Sequence, residues 1–362
     1  MPVVRRAVRL WRPRGSGEVP RRDRRRSILQ LDTLSPFPID LVFTWVDLDE
    51  PARLESLARY GGDVASLSDQ GEEDSQGAED LYGTSRYRSN DELRYALRSV
   101  ELYAPWVRHI YVVTDGTRPP WLVESDRLSV VAHTDILDEQ YLPTFNSHVI
   151  ESALQRIPGL AEHFLYLNDD VMFLAPVDPG DFFTENGLML IPLGRGTIDD
   201  GPALPEENAN EWGSKNAAAL VEKAFGFRPE RRLRHQAQPQ LRSVAERSEA
   251  RFPEAYHLTR SNRFRTIEDV LCTGFLHPWS AYMEGRALCI FTKGWFVRVR
   301  LRTALDRYAR IIEEKDRPNR RKFGCFNDGA NLGELLEDHA THLRAALEQL
   351  FPEPSPHERA DA

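Results

Sequence analysis

The chain predicts an α/β fold, a mostly parallel Rossmann-like sheet flanked by helices with a more helical C-terminal half. Three observations carry this reading. Short apolar runs of strand length start at Ile39 and recur at residues 109–114, 128–132 and 163–167. Helical spacing fills two of the gaps between them, and strands parted by helices imply right-handed crossovers and parallel pairing. Three of the runs also stop abruptly at acids: LVFTWV at Asp47, IYVVT at Asp115 and FLYLN at Asp169-Asp170.

Residues 1–35 read as a basic, flexible arm. Val4, Val8 and Trp11 would line one side of a short helix, but Pro13, Gly15, Gly17 and Pro20 break it. A solvated tail and a peripheral contact with an anionic membrane surface are the two readings of this arm. The folded part begins at Ile39, where β-branched and aromatic residues make a buried first strand. Residues 61–86, rich in Gly, Ser, Asp and Glu, hold too few apolar side chains to pack and read as a flexible acidic insertion. Ser89 and Glu92 then have capping-box spacing, and Leu93, Leu97, Val100 and Tyr103 recur at helical intervals as far as Pro105. The strands at 109–114 and 128–132 precede a helix over 146–157 and the strand at 163–167. Beyond them the spacing predicts helices near 206–225, 238–250, 267–284, 300–314 and 331–350. A strand pair at 287–291 and 295–299 lies between two of these, and residues 331–362 read as a C-terminal helix and tail.

Charge and composition exclude several classes. Lys and Arg total 47 against 56 Asp and Glu, a net of −9. Residues 1–30 hold ten Arg against only Glu18 and Asp23, a net of +8, so the remainder carries −17. An acidic body does not coat nucleic acid, which needs a concentrated basic surface. No apolar run approaches the roughly 20 residues that span a bilayer, and Arg interrupts any signal-like core near the N-terminus. The expected location is the cytoplasm, with peripheral contact at the inner face of the plasma membrane as an option for the arm. Cys272, Cys289 and Cys325 have no disulfide or zinc spacing and are expected to be reduced thiols.

In an open α/β sheet, ligands bind beyond the carboxyl ends of the strands, which singles out Asp47, Asp115, Asn168, Asp169 and Asp170. Carboxylates gathered there repel one another unless a divalent cation offsets them, and Asn168, Asp169 and Asp170 are the metal candidates. Adjacent acids on extended backbone point to opposite sides, so one of the Asp169-Asp170 pair faces the cleft. Glu151 lies beside the apolar stripe of its helix, where it serves either as a partner of the site or as a solvated rim residue. His235 ends an arginine-rich stretch, and Arg263 and Arg265 occur in SNRFRTIED. Those arginines are either a solvated helix entrance or a phosphate clamp beside a proton acceptor.

The segments FTWVD (43–47), RSNDELRYALRSVELYAPWVRHIYVVTDG (88–116), LPTFNSHVIES (142–152), RIPGL (156–160) and HFLYLNDDVMF (163–173) resemble the first two conserved regions of the Stealth family. The third region is matched by His235 and FPEAYHLTRSNRFRTIEDV (252–270), the fourth by KFGCFNDG (322–329). The resemblance spans most of residues 36–330 and implies a catalytic domain there. It implies transfer of a sugar 1-phosphate from a nucleotide sugar to a hydroxyl of a glycan acceptor, releasing a nucleoside monophosphate in capsule or exopolysaccharide synthesis. The family's functional residues fall on Glu151, Asp170, His235 and Arg265. Two departures stand out: Gln238 replaces the second His of a His-x-Pro-His pattern, and Leu48 follows Asp47 where Gly is common. The implied roles are Asp169 and Asp170 for Mg²⁺ or Mn²⁺, Arg265 for the transferred phosphoryl group and His235 as general base. Glu151 would orient His235 or hold the sugar, while Asp47, Asn90, Asp115 and Asn168 would bind substrate. A GT-A-like glycosyltransferase, which breaks the sugar C–O bond and releases a nucleoside diphosphate, is the closest alternative.

Overall fold

The computed structural model describes residues 36–47, 55–57, 59–60, 89–328 and 334–359. The basic arm and the acidic insertion, with the expectations attached to them, lie outside the described residues. Four strands form the parallel sheet in the order β3-β2-β1-β4: β1 (Ile39–Thr44), β2 (Ile110–Thr114), β3 (Leu128–Ala132) and β4 (His163–Asn168). β1 is apolar throughout because both its faces are buried. Ile39, Leu41 and Phe43 pack with Leu93, Leu97 and Val100 of helix α1 (Glu92–Tyr103). Val42 points the other way, into a second core with Val113, Val149 and Tyr166. Successive connections run to opposite sides of β1, toward β2 and toward β4. Such a switch point opens a crevice beyond the carboxyl ends of the two strands, where Thr44 and Asn168 are register partners.

Two small sheets border the crevice. After Asp170 the chain leaves the main sheet as β5 (Val171–Phe173), which pairs antiparallel with β11 (Phe323–Asn327), itself parallel to β10 (Gly294–Arg298). The other joins β6 (Met189–Thr197) to β7 (Arg231–Leu233) and β9 (Ala287–Phe291). Among the described residues no helix is long and apolar enough to cross a membrane, and all three cysteines are free thiols.

Several elements differ from the expectation. The helix over 238–250 begins four residues late: Gln238–Leu241 form β8, antiparallel to β4, and helix α5 follows at Arg242–Arg251. Pro239 explains this, since it biases Gln238 to extended backbone and, lacking an N–H, suits an edge strand. The strands at 287–291 and 295–299 are not paired with each other; β9 lies on β6 and β10 on β11. Between α2 (His133–Ile136) and α4 (Ala209–Phe225), the helix over 146–157 is a short α3 (Ser147–Glu151) followed by a 3₁₀ turn at Leu154–Arg156. The helix over 267–284 is a π turn at Cys272–Leu276 continued by a helix at His277–Met283. A helix at Pro253–Ser261, opened by its proline, was not expected at all. The capping box is also displaced. Asp91, with φ 66°, is the N-cap residue, and Glu92 turns back to accept hydrogen bonds from Asn90 N (2.6 Å) and Nδ2 (2.8 Å).

Candidate active site

Asp169 and Asp170 occupy the turn between β4 and β5, at the mouth of the crevice. The backbone of Asp170 is fixed by Phe326 N, which donates to its carbonyl at 2.9 Å. Its Oδ2 accepts from Asn327 Nδ2 at 3.2 Å and from Cys325 Sγ at 3.4 Å. Cys325 and Asn327 share one face of β11, as residues two apart in a strand must. Asp170 Oδ1 is buried, has no hydrogen-bond partner among the described residues, and stands 3.7 Å from His235 Nε2. His235 projects from the loop between β7 and β8, its side chain 40% exposed. Its ring meets Phe296 of β10 edge-on at 6.4 Å between centroids.

Burial alone would raise the Asp170 carboxyl and lower the His235 imidazole. The attraction of the pair, with the Asn327 and Cys325 donors on Asp170 and the Glu151 charge on His235, outweighs it: Asp170 sits below its ordinary range and His235 above. Asp169 is held well above the usual carboxylate range, first by burial, then by the charges of Glu92 and Asp170. Glu92, itself pushed up to about 7 by burial, is thus a neighbour of the site.

Glu151 ends α3 and is buried. Its Oε2 accepts from the Thr273 hydroxyl in the π turn. Burial raises its pKa, opposed by His148, Thr273, His235 and Tyr166. Of its two sequence readings, the structure therefore gives the buried partner of the site. Arg265 reaches the same helix from the other end, donating Nη2 to Ser147 Oγ at 2.6 Å. Burial lowers its guanidinium to about 10, which leaves it charged at neutral pH. The 262–269 loop that carries Arg265 is stitched to the start of α3. Asn146 Nδ2 donates to Asp269 Oδ2 at 2.7 Å, Phe145 N to Arg263 O at 2.8 Å, and Asp269 accepts from Asn262 and Thr266. Arg263 points away, donating to Pro143 O at 2.9 Å and stacking over Tyr60.

Asp170, Asp169, His235 and Glu151 are thus brought together, and Arg265 is held at Ser147, four residues along α3 from Glu151. The other expected residues take different places. Asn90 is buried and bound to Glu92, Asn168 sits half-buried where β4 ends, and Asp47 is partly buried just beyond β1. Asp115 is exposed at the end of β2, where its Oδ1 accepts from Thr117 N (3.1 Å) and Oγ1 (2.6 Å) in a local turn. Sequence reasoning assigned no role at the site to Cys325, Asn327, Thr273 or Glu92, the last being read only as a helix cap. The alternation of Cys325 and Asn327 in FGCFN was the readable signal for the first two.

Asp170, His235 and Cys325 each offer a donor atom within 4.8 Å of the others. Cys325 is not a ready ligand, because burial and then the neighbouring Asp170 charge hold its thiol protonated, donating to Asp170. The oxygen donors near it are Asp170 Oδ1, which faces His235, and the Asp169 carboxyl, which the Asp170 charge helps to raise. Such a set fits a hard divalent cation, whose charge would relieve their repulsion.

The chain is similar to known proteins over most of its length. Residues 86–191 match the model of the Stealth protein conserved region 2. An exopolysaccharide phosphotransferase of Streptomyces coelicolor is 37% identical over 327 residues, covering 90% of this chain and 53% of that relative. CpsY, an exopolysaccharide phosphotransferase of Mycobacterium tuberculosis, is 34% identical over 329 residues, 90% of this chain and 59% of its own. A capsular polysaccharide phosphotransferase of Actinobacillus pleuropneumoniae is 31% identical over 332 residues, 90% of this chain and 85% of its own. The chain spans about half the length of the Streptomyces relatives it matches. With similarity running through nearly all of the folded part and both sides of the crevice, the chain belongs to the Stealth family.

Proposed function

We propose that the chain transfers a sugar 1-phosphate from a nucleotide-sugar donor to a hydroxyl of an acceptor glycan and releases a nucleoside monophosphate. The observation that carries this reading is the His235–Asp170 pair at the carboxyl edge of the sheet, with Glu151 in its field, in a chain whose relatives are polysaccharide phosphotransferases. The acceptor oxygen attacks the sugar-bearing phosphorus, a new P–O bond forms, and the P–O bond to the nucleoside monophosphate breaks. With His235 Nε2–H turned toward Asp170, Nδ1 takes the hydroxyl proton, and Asp170 stabilises the imidazolium that results. Arg265 keeps its charge for the non-bridging oxygens, and Ser147 fixes its guanidinium. Asp169 and Asp170 would hold Mg²⁺ or Mn²⁺, which when bound supplies neutralisation of the diphosphate charge. Asn168, Asp47 and Asp115, near strand ends, and the more deeply placed Asn90 are assigned to substrate.

Incubating the purified chain with Mg²⁺, a panel of nucleotide sugars and an acceptor glycan tests the proposal. Release of a nucleoside monophosphate supports it. Release of a nucleoside diphosphate makes the chain a glycosyltransferase.

A further inference from the structure

Arg265 and Asp269 stand four residues apart in one loop, the arginine half-buried and the acid fully buried. An ion pair between them would occupy the charge that a phosphoryl group needs. Among the described residues no such pair forms: Arg265 donates to Ser147 Oγ, and other donors take up the Asp269 carboxylate. Its Oδ2 accepts from Asn146 Nδ2 at 2.7 Å and Thr266 N at 3.0 Å, its Oδ1 from Asn262 Nδ2 at 2.9 Å and the Thr266 hydroxyl at 3.2 Å. His148 Nδ1 stands 3.4 Å from Oδ2, and both of these side chains are fully buried. Burial alone would raise the Asp269 carboxyl, but His148, and then Asn262 and Thr266, hold it below its ordinary range.

Each of these donors belongs to something fixed. Asn146 and His148 flank Ser147 at the start of α3, where Asn146 Oδ1 also accepts from His148 N at 3.0 Å. Asn262 and Thr266 lie on either side of Arg265 in sequence, and Asp269 N donates back to Thr266 O at 3.1 Å, so the segment between them is wrapped around the carboxylate. Behind it, Asn216 Nδ2 of α4 donates to Ile267 O and Asp269 O, both at 2.8 Å. We propose that Asp269 is a positioning residue for the transfer: its carboxylate gathers the 262–266 segment, presents the Arg265 guanidinium at Ser147 and, matched by His148, leaves that guanidinium's charge for the donor diphosphate. This deepens the phosphotransfer reading and rests on it. Charge alone predicts the opposite effect of removing Asp269. A carboxylate near an anion site weakens anion binding, so its loss would strengthen binding, whereas loss of a positioning group weakens it.

Equilibrium binding of inorganic pyrophosphate with Mg²⁺, a probe of the donor's diphosphate that needs no turnover, tests this in a double-mutant cycle. Arg265→Gln should weaken binding about thirtyfold and Asp269→Asn about fivefold. In the Arg265→Gln background, Asp269→Asn should change affinity by less than about twofold, because no guanidinium is left to place. Asn262→Ala, at a half-buried position, keeps the carboxylate and removes one of its donors. It should weaken binding about threefold in the parent and leave the Arg265→Gln chain unchanged, and it decides the matter if Asp269→Asn does not fold. An Asp269 that merely held the fold together would lower the melting temperature and cost the same factor in both backgrounds, which would overturn the proposal. So would unchanged or tighter binding by Asp269→Asn, or by Asn262→Ala where it decides, and so would an Arg265→Gln chain that binds pyrophosphate like the parent. Release of a nucleoside diphosphate in turnover would instead refute the phosphotransfer reading and leave the coupling of Asp269 to Arg265 standing.

Discussion

Asp170 holds three relations at once, to Asn327 and Cys325 through Oδ2 and to His235 through Oδ1. Asp170→Asn keeps the volume but removes the charge that stabilises a protonated His235. His235→Gln removes the proton acceptor itself. Each should lower turnover by roughly 10²–10⁴ with a melting temperature close to that of the parent, measured by nucleotide release and thermal unfolding. The residues that sequence revealed are those whose neighbours in the chain explain them. Asp169 and Asp170 follow an apolar strand, so their place on the crevice edge was readable. Cys325 and Asn327 reach Asp170 across 155 and 157 residues of chain, and no local pattern encodes a contact of that kind. Glu92 was readable as the start of a helix but not as a neighbour of Asp169, because that depends on how α1 crosses the sheet.

Among the elements, the segment after Glu151 depends on a clamp between helices. Glu249 of α5 accepts from Arg260 Nη1 and Arg156 Nη2, both at 2.6 Å, while Arg260 Nη2 donates to Ser152 O at 2.6 Å. Burial would raise Glu249, but Arg260 and then Arg156 bring it down to about 2. A depressed carboxyl pKa stabilises the fold above the unfolded value near 4.5 and loses that stabilisation as pH falls from there toward 2. Glu249→Gln should therefore cost about 1–3 kcal/mol at pH 7, and the difference in unfolding free energy should close across that acid window. A second contact joins the helix at Ala209–Phe225 to the strand-like entry to the π turn. Leu271 N donates to Gly213 O at 3.1 Å, and a Cβ on Gly213 would meet Leu271 N and Cβ at 2.9 Å. Gly213→Ala should destabilise by about 1–3 kcal/mol in denaturant titration although alanine is the better helix former, because the clash involves backbone. The main sheet was legible because its strands are apolar on both faces. β7, β8 and β11 were not, since the arginines of β7, Gln238 and Gly324 carry no strand pattern, and of the small sheets only β9 and β10 were legible as strands, without their partners.

For the whole molecule, the C-terminal residues close the fold over α1. Arg98 donates Nε and Nη2 to the Glu358 carboxylate, both at 2.8 Å, and Nη1 to Phe351 O at 2.8 Å. Both side chains are almost fully buried, 8% and 4% exposed. Arg98→Ala would leave the buried Glu358 with Arg94 Nε, 3.1 Å away, as its remaining counter-charge and should cost about 1–3 kcal/mol of stability by thermal or chemical unfolding. The α/β class and the mostly parallel pairing were readable from the alternation of strands and helices, whereas the strand order and this closure, which joins segments some 250 residues apart, required the structure. As proposed, the molecule moves a phosphoryl group and leaves the sugar C–O bond intact. A nucleotide-sugar donor carrying ¹⁸O in the bridge between the anomeric carbon and phosphorus tests this most directly, with the label followed by mass spectrometry. Phosphotransfer predicts that the ¹⁸O appears in the glycan product, still bound to the transferred sugar and its phosphorus. Recovery of the ¹⁸O in a released nucleoside diphosphate would contradict the account.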